Sequence, residues 1–432
     1  MKTIRYAACD LNGQLRGKRT LASDVNKLSE GTARLPLSVL NLDLWGEDIE
    51  DSPLLFDTGD ADGILRPTGR GPVPMPWLTN PSELHPMWVF LEDGTPFEGD
   101  PRHALDRVLS KFRDKGLSVL AATELEFYLC DGAELLRPPK NPLTGSPLKR
   151  SEITGLQTLD AFDAFFTDLY DACAAMEIPA QTTISEGGIG QFEVNLTHQD
   201  AMKAADDTWL FKHMVKGLAR KHGMAATFMA KPYDEDAGSG LHVHFSVMGE
   251  AGHNIFDDCT ARGALALHHA VAGCLKAMTP STLIFAPHLN SYARLQPGSH
   301  APTAICWGYE NRSTALRIPG GPPAARRIEH RVPGGDINPY LMLTAILGAA
   351  INGIEAEHMP SPPITGNAYN QNLPQLAGDW QTAIDLFSTS SEIAGIFPAT
   401  LIENLTRTKR QELAKFAALS ETDALGLALE RV

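Results

Sequence analysis

Three things are scarce in this 432-residue sequence: cysteine pairs, basic side chains relative to acidic ones, and long apolar runs. The six cysteines (Cys9, Cys130, Cys173, Cys259, Cys274, Cys306) are scattered with no C-x-x-C pair, which excludes a zinc ribbon or a disulfide framework and reads as reduced thiols. Lysine and arginine together number 37 against 52 acidic residues, giving a formal net charge of -15. That balance repels phosphate backbones and anionic bilayers, so no nucleic acid and no membrane partner is expected. The start, Met1 to Tyr6, has no apolar stretch for a signal or anchor, and a cytoplasmic protein is expected. The longest apolar stretch, Tyr340 to Ile354, is shorter than the roughly 20 residues of a membrane span. It also contains Asn352, and it reads as a buried helix opened by Asn338-Pro339. No solenoid repeat or low-complexity tract is present. There is no G-x-x-x-x-G-K-[ST], and Gly187-Gly188-Ile189-Gly190 is too short for a dinucleotide fingerprint.

What is present is an ordinary globular composition, 43% hydrophobic and 21% charged, at a length that predicts two or three domains. Ile4 to about Phe97 reads as short strands and turns, with Asn12-Gly13 as a hairpin signal and prolines crowded between Pro67 and Pro86. Asp100-Pro101 reads as an N-cap followed by proline at the first helical position, opening a helix with Leu105, Val108, Leu109 and Phe112 on one side. A boundary follows near Asp100, dividing 1–99 from 100–432. Helices are predicted for Leu159 to Met176, Asp206 to His222, Ala261 to Met278 and Asn338 to Glu357.

Four segments alternate strictly, and alternation sends successive side chains to opposite faces of a strand. Glu124, Glu126 and Tyr128 share one face of Val119 to Leu129, and Gln191, Glu193 and Asn195 share one face of Gln191 to Leu196. His242, His244 and Ser246 do so in Gly240 to Val247, and Arg327, Glu329 and Arg331 in Arg327 to Val332. Solvated faces of antiparallel strands alternate in the same way, but such faces usually carry lysine, threonine or serine, and all four segments lack lysine. If these faces line one cavity, cations must offset the carboxylates. Oxygen-rich sites with an occasional imidazole suit magnesium or manganese. Arg312, Arg317, Arg327 and Arg331 suit phosphate or carboxylate ligands, and metals with arginines point to phosphoryl transfer.

In order and spacing, these residues resemble the glutamine synthetase superfamily, type I, over nearly the whole chain. The motifs are Glu124-Leu125-Glu126, Glu186 with Gly190-Gln191-Phe192-Glu193, Gly238-Ser239-Gly240-Leu241-His242-Val243-His244, Asn290-Ser291-Tyr292-Ala293-Arg294, Asn311-Arg312-Ser313, Arg317-Ile318-Pro319, Arg327-Ile328-Glu329-His330-Arg331 and Asn338-Pro339-Tyr340-Leu341. The resemblance implies an α+β fold: a small N-terminal β-grasp domain and a larger catalytic domain built on an antiparallel sheet flanked by helices. It implies a homo-oligomer, two hexameric rings stacked as a dodecamer, with sites shared between neighbours. One divalent ion, Mg2+ or Mn2+, would sit on Glu126, Glu186 and Glu193, and a second on Glu124, His242 and Glu329. His244, Ser246, Arg312, Arg317 and Arg327 would hold ATP. Gly238, Arg294 and Arg331 would hold glutamate, with Arg312 and Arg331 also acting in catalysis.

Three positions depart from the ammonia-using members. His300 stands where they carry a mobile-loop glutamate, Ala237 where they carry an asparagine near glutamate, and the segment around Leu35 to Trp45 lacks their Asp-Gly-Ser-Ser. A counterpart of their adenylylated tyrosine is not recognised. The pattern is nearest the γ-glutamylpolyamine synthetase branch. The expected activity is an ATP-dependent ligase joining the glutamate γ-carboxylate to an alkylamine, polyamine or amino alcohol, with His300 taking the amine's proton. A true glutamine synthetase and a non-catalytic oligomer are the alternatives.

Overall fold

The computed structural model describes residues 2–132 and 137–432. Its first strands are β1 (Thr3–Cys9), β2 (Leu15–Leu21), β3 (Arg34–Pro36), β4 (Asp62–Pro67), β5 (Val73–Pro74) and β6 (Glu83–Phe90). They form a six-stranded sheet in the order β2-β1-β6-β4-β3, with β5 on β6. Asn12-Gly13 turns the β1–β2 hairpin as predicted: Gly13 takes φ +78°, and its N–H donates to the Asp10 carbonyl at 3.0 Å. One face of this sheet closes over its own core, including Ile4, Tyr6, Leu35, Leu65 and Val89. The alternate residues Ala7, Cys9, Val73 and Leu84 join the main core of the molecule.

Asp100 caps α1 (Pro101–Arg113), its carboxylate accepting from the N–H groups of Arg102 and Val89 at 2.8 Å each. The apolar stripe Leu105, Val108, Leu109 and Phe112 is buried. The second sheet comprises β7 (Ser118–Asp131), β8 (Ala180–Ser185), β9 (Gln191–Asp200), β10 (Met224–Thr227), β11 (Leu241–Met248), β12 (Trp307–Tyr309), β13 (Leu316–Ile318) and β14 (Ile328–His330). Its order is β12-β13-β14-β11-β7-β9-β8, with β10 paired to β7. The expected antiparallel sheet needs one correction: β12 and β13 run parallel, as do β1 and β6 in the first sheet. Both sheets are thus mixed, and with the helices the fold class is α+β.

Helices α2 (Leu156–Ala161), α3 (Asp163–Ala175) and α4 (Ala201–Lys221) pack against this second sheet, and α5 (Leu265–Met278) and α6 (Pro339–Ala356) pack on each other, with α6 also against α4. The expected single helix from Leu159 to Met176 is two, broken where Phe162 leaves helical geometry and packs its buried ring 5.3 Å from Phe192. Helix α4 begins before Asp206 because Asp200 caps it, accepting from the N–H groups of Met202 and Lys203. Helix α5 begins after Ala261 because Gly263 sits at φ +81°, outside helical space.

Helix α6 is long and apolar enough to cross a membrane by composition, yet 78% of it is buried inside the protein. It packs on α5 so closely that a Cβ at Gly273 would lie 2.1 Å from the Ala349 carbonyl oxygen, and one at Gly353 would lie 2.2 Å from that of His269. The Asn338 cap ties α6 to the first hairpin, its Nδ2 donating to the Asp10 carbonyl at 2.8 Å. The longer helices that follow are α7 (Trp380–Thr389), α8 (Ala399–Ala417) and α9 (Glu421–Arg431).

Candidate active site

Strand register brings the polar faces together. Glu124 on β7 faces His242 on β11 and Asn195 on β9, and Glu126 faces Glu193. On the other side of β11, His244 faces Glu329 on β14, and Glu329 faces Arg317 on β13. Glu186 lies just beyond β8, its N–H donating to the Gln191 carbonyl at 3.0 Å. The intervening residues Leu125, Phe192, Val243 and Ile328 are buried, so one face of the sheet belongs to the core and the other gathers the charge. His330 goes with the core, as its place in the alternation predicts. Its ring lies 4.7 Å from that of Phe285, and burial drives its pKa down to about 3.

Two groups of ligand atoms lie within 4.8 Å of one another: Glu124, Glu193 and His242, and Glu124, His244 and Glu329. Glu124 is common to both, Glu193 falls with Glu124 and His242, Glu329 falls with Glu124 and His244, and Glu126 and Glu186 belong to neither group among the described residues. The hydrogen bonds distinguish the two imidazoles. Arg327 Nε can only donate, and it lies 3.2 Å from His244 Nδ1. His244 therefore carries its proton on Nε2, which donates to Glu124 Oε1 at 2.9 Å. His242 Nδ1 donates to Glu124 Oε2 at 3.0 Å, leaving its Nε2 lone pair open. A carboxylate behind one imidazole nitrogen is the usual support for a metal ligand at the other, so His242 fits a ligand role better than His244.

The electrostatics fit a site built for cations. Burial would raise the Glu124 carboxyl, but the hydrogen bonds from His242 and His244 hold it well below the usual carboxylate range. Burial likewise opposes ionisation of Glu329, and His242, Arg331, His244 and Arg317 together keep it low. For Glu193 and Glu186 the opposing help is weaker: a hydrogen bond from Asn195 for the first, the Gly187 N–H and the charge of Arg312 for the second. Burial, followed by repulsion from neighbouring carboxylates, pushes Glu193 up to about 9 and Glu186 up to about 7. Divalent cations would relieve that repulsion, and an oxygen-rich donor set with one open imidazole suits Mg2+ or Mn2+.

The arginines surround the cluster. Glu329 Oε2 accepts from Arg317 Nη1 at 2.7 Å, and its Oε1 accepts from Arg331. Arg294 is buried, donates to the Val332 carbonyl at 2.7 Å, and lies so close to the 238–240 turn that a Cβ at Gly240 would be 2.7 Å from its Nη2. Gly238 is equally constrained, a Cβ there falling 2.8 Å from Arg294 Cγ. Arg312 is exposed, with its charge felt by Glu186. Ser246 is half-buried and donates to the Arg326 carbonyl at 3.0 Å. His300 is exposed at φ +64°.

Several contributors were given no role by the sequence pattern. Tyr128, on the polar face by alternation, is fully buried, and its hydroxyl donates to the Ala237 carbonyl at 2.6 Å. It therefore holds the 236–240 turn in place. Gln191 donates to Glu126 at 3.3 Å and to the Gly238 carbonyl at 3.0 Å. Glu310 accepts from Arg317 Nη2 at 3.2 Å and from the N–H of Gly320. The Leu42 to Trp45 segment docks on α8: Asp43 accepts from Gln411 at 2.9 Å and from Lys415, and the rings of Trp45 and Phe416 lie 4.9 Å apart.

A family model described as glutamine synthetase, catalytic domain, matches residues 98–424. The gamma-glutamylputrescine synthetase of Escherichia coli is 38% identical over 84% of this chain and 78% of its own length. The glutamate–isopropylamine ligase of a Pseudomonas species is 34% identical over 95% of this chain and 91% of its own length. A ligand-free GmaS structure superposes with a TM-score of 0.85 at 27% identity, covering 98% of this chain and 96% of that one. The chain belongs to the glutamine synthetase family.

Proposed function

We propose that this protein is an ATP-dependent ligase that joins the γ-carboxylate of glutamate to an alkylamine, polyamine or amino alcohol. The observation that carries this reading is the single polar sheet face on which Glu124, Glu126, Glu193, His242 and Glu329 lie among Arg317, Arg327 and Arg331. Relatives named for putrescine, isopropylamine and ethanolamine products or substrates support the choice of amine over ammonia.

In this reading Glu126, Glu186 and Glu193 hold one divalent ion, and Glu124, His242 and Glu329 hold the other. When bound, such ions supply positive charge to the phosphates of ATP and to the phosphoryl group in flight. Arg312, Arg317 and Arg327, with His244 and Ser246, bind the nucleotide, and Arg294, Arg331 and the Gly238 turn bind glutamate. A γ-carboxylate oxygen attacks the γ-phosphorus of ATP, and the bond to the ADP oxygen breaks, leaving γ-glutamyl phosphate. The amine lone pair then attacks the acyl carbon, the carbon–oxygen bond to phosphate breaks, and the amine's surplus proton passes to His300. Arg312 and Arg331 counter the charge of the transferring and leaving phosphate.

We assign 1–99 to a β-grasp unit and 100–432 to the catalytic unit, supported by the separate core of the first sheet and by a family match that begins at residue 98. The assembly proposed is a dodecamer of two hexameric rings. Phosphate release with glutamate, ATP and Mg2+ across ammonium, methylamine, ethanolamine, putrescine and longer polyamines tests the activity. Release that depends on a carbon-bearing amine is expected. Preference for ammonium makes the protein a glutamine synthetase, and no release with any acceptor makes it a non-catalytic oligomer.

A further inference from the structure

His300 sits in an exposed loop with its backbone in the left-handed region, at φ +64°. A non-glycine residue holds that conformation only where its surroundings fix it. The residues on either side of it are fixed. Before it, Ser299 Oγ lies 2.7 Å from the carbonyl oxygens of both Arg294 and Gln296. After it, the carbonyl of buried Ala301 accepts from the Tyr369 hydroxyl at 2.9 Å.

The element that carries Tyr369 is itself held to the site. Asn311 Nδ2 donates to the Gly366 carbonyl at 2.8 Å, and Ser313 Oγ accepts from the Ala368 N–H at 3.0 Å. These residues flank Arg312, so the Asn311-Arg312-Ser313 motif serves as the platform for the Tyr369 loop. Within that loop Asn367 accepts from the Tyr369 N–H at 3.0 Å. The Tyr369 ring is half-buried and within electrostatic reach of Arg331 and Arg294.

Resting on the ligase reading, we infer that Tyr369 is a positioning residue: its hydroxyl latches the His300 loop beside the Arg294 and Arg331 pair and so sets how tightly the amine is held. A net hydrogen bond of ordinary strength corresponds to about a fivefold effect on the occupancy of the latched loop. Because the bond forms whether or not the acyl centre is reacting, its loss should act on amine binding rather than on the chemical step.

The test compares the parent with Tyr369→Phe, which keeps the ring and removes only the hydroxyl. With the amine that the parent prefers, the variant should show an amine KM about fivefold higher, kcat within about twofold, and an unchanged Tm. Hydrogen exchange of the 297–303 segment, measured without substrates, should be faster in the variant. A fall in kcat and Tm with an unchanged amine KM would mark a merely structural residue and overturn the assignment. Unchanged KM and unchanged exchange in a variant of an active parent would overturn the latch alone. No amine-dependent turnover by the parent would overturn the ligase reading, and the assignment with it.

Discussion

Glu126 and Glu193 face each other as register partners across β7 and β9, and neither forms an ion pair among the described residues. Like charges directly opposite one another on a sheet are destabilising. This pairing makes sense as the bed of a cation site and poor sense as a solvated surface, since Glu193 is only 7% exposed.

Metal binding should therefore depend on pH in a particular direction. Burial and the neighbouring carboxylates raise Glu186 to about 7 and Glu193 to about 9. The folded protein then binds protons that the unfolded chain has already released, so without metal its stability falls as pH climbs from the ordinary carboxylate range toward about 9. A divalent ion must displace those protons, and its affinity rises over the same window. Mg2+ or Mn2+ should raise Tm more at about pH 8.5 than at about pH 6. Equal shifts at the two values would contradict the assignment.

Glu329 offers a separate test because it accepts from two arginines at once. Replacing it by alanine removes a proposed metal ligand and leaves Arg317 and Arg331 without their shared carboxylate. The expected result is loss of ATP-dependent turnover together with a destabilisation of about 3–5 kcal/mol, read by denaturant unfolding. Glu126→Ala should abolish turnover as well. Among the described residues its carboxylate accepts only from the Gly240 N–H and Gln191, so its stability loss should be the smaller. Turnover near the parent's rate in either variant would refute the metal assignment.

The site's residue types and alternation were legible in the sequence because period-two patterning fixes which side chains share a face, and β7, β9 and β11 keep that pattern. Strand order and register were not legible. That Glu124 would bond to both His242 and His244 depends on β7 lying beside β11, a pairing between segments more than a hundred residues apart. Helix starts were misplaced where the deciding group lies outside the apolar pattern, as with the Asp200 cap and the left-handed Gly263. Tyr128 and Gln191 were placed on polar faces without a role, and Glu310 was not singled out, because each acts on a turn or an arginine that only the folded chain brings near.

In the proposed mechanism His300 takes the proton of the incoming amine. An alkylamine arrives protonated at neutral pH, and an imidazole can accept its proton without the fixed negative charge of a glutamate. His300→Ala should lower turnover with the preferred amine by about 10- to 100-fold, and His300→Glu should shift selectivity toward ammonium in a competition assay. If both keep the parent's rate and preference, the residue has no part in the step.

Assembly is checked by light scattering. The proposed double ring requires a mass about twelve times the 46.8 kDa of the chain. A fully active monomer would show that the site needs no neighbour.

The central claim is that glutamate is activated by phosphorylation of its γ-carboxylate, and the fate of one oxygen tests it directly. With glutamate labelled by 18O in the γ-carboxylate, ATP and the preferred amine, mass spectrometry of the released phosphate should find one labelled oxygen per phosphate, because the carbon–oxygen bond of the acyl phosphate breaks. Phosphate released without label would mean that ATP is hydrolysed by water and that no γ-glutamyl phosphate forms.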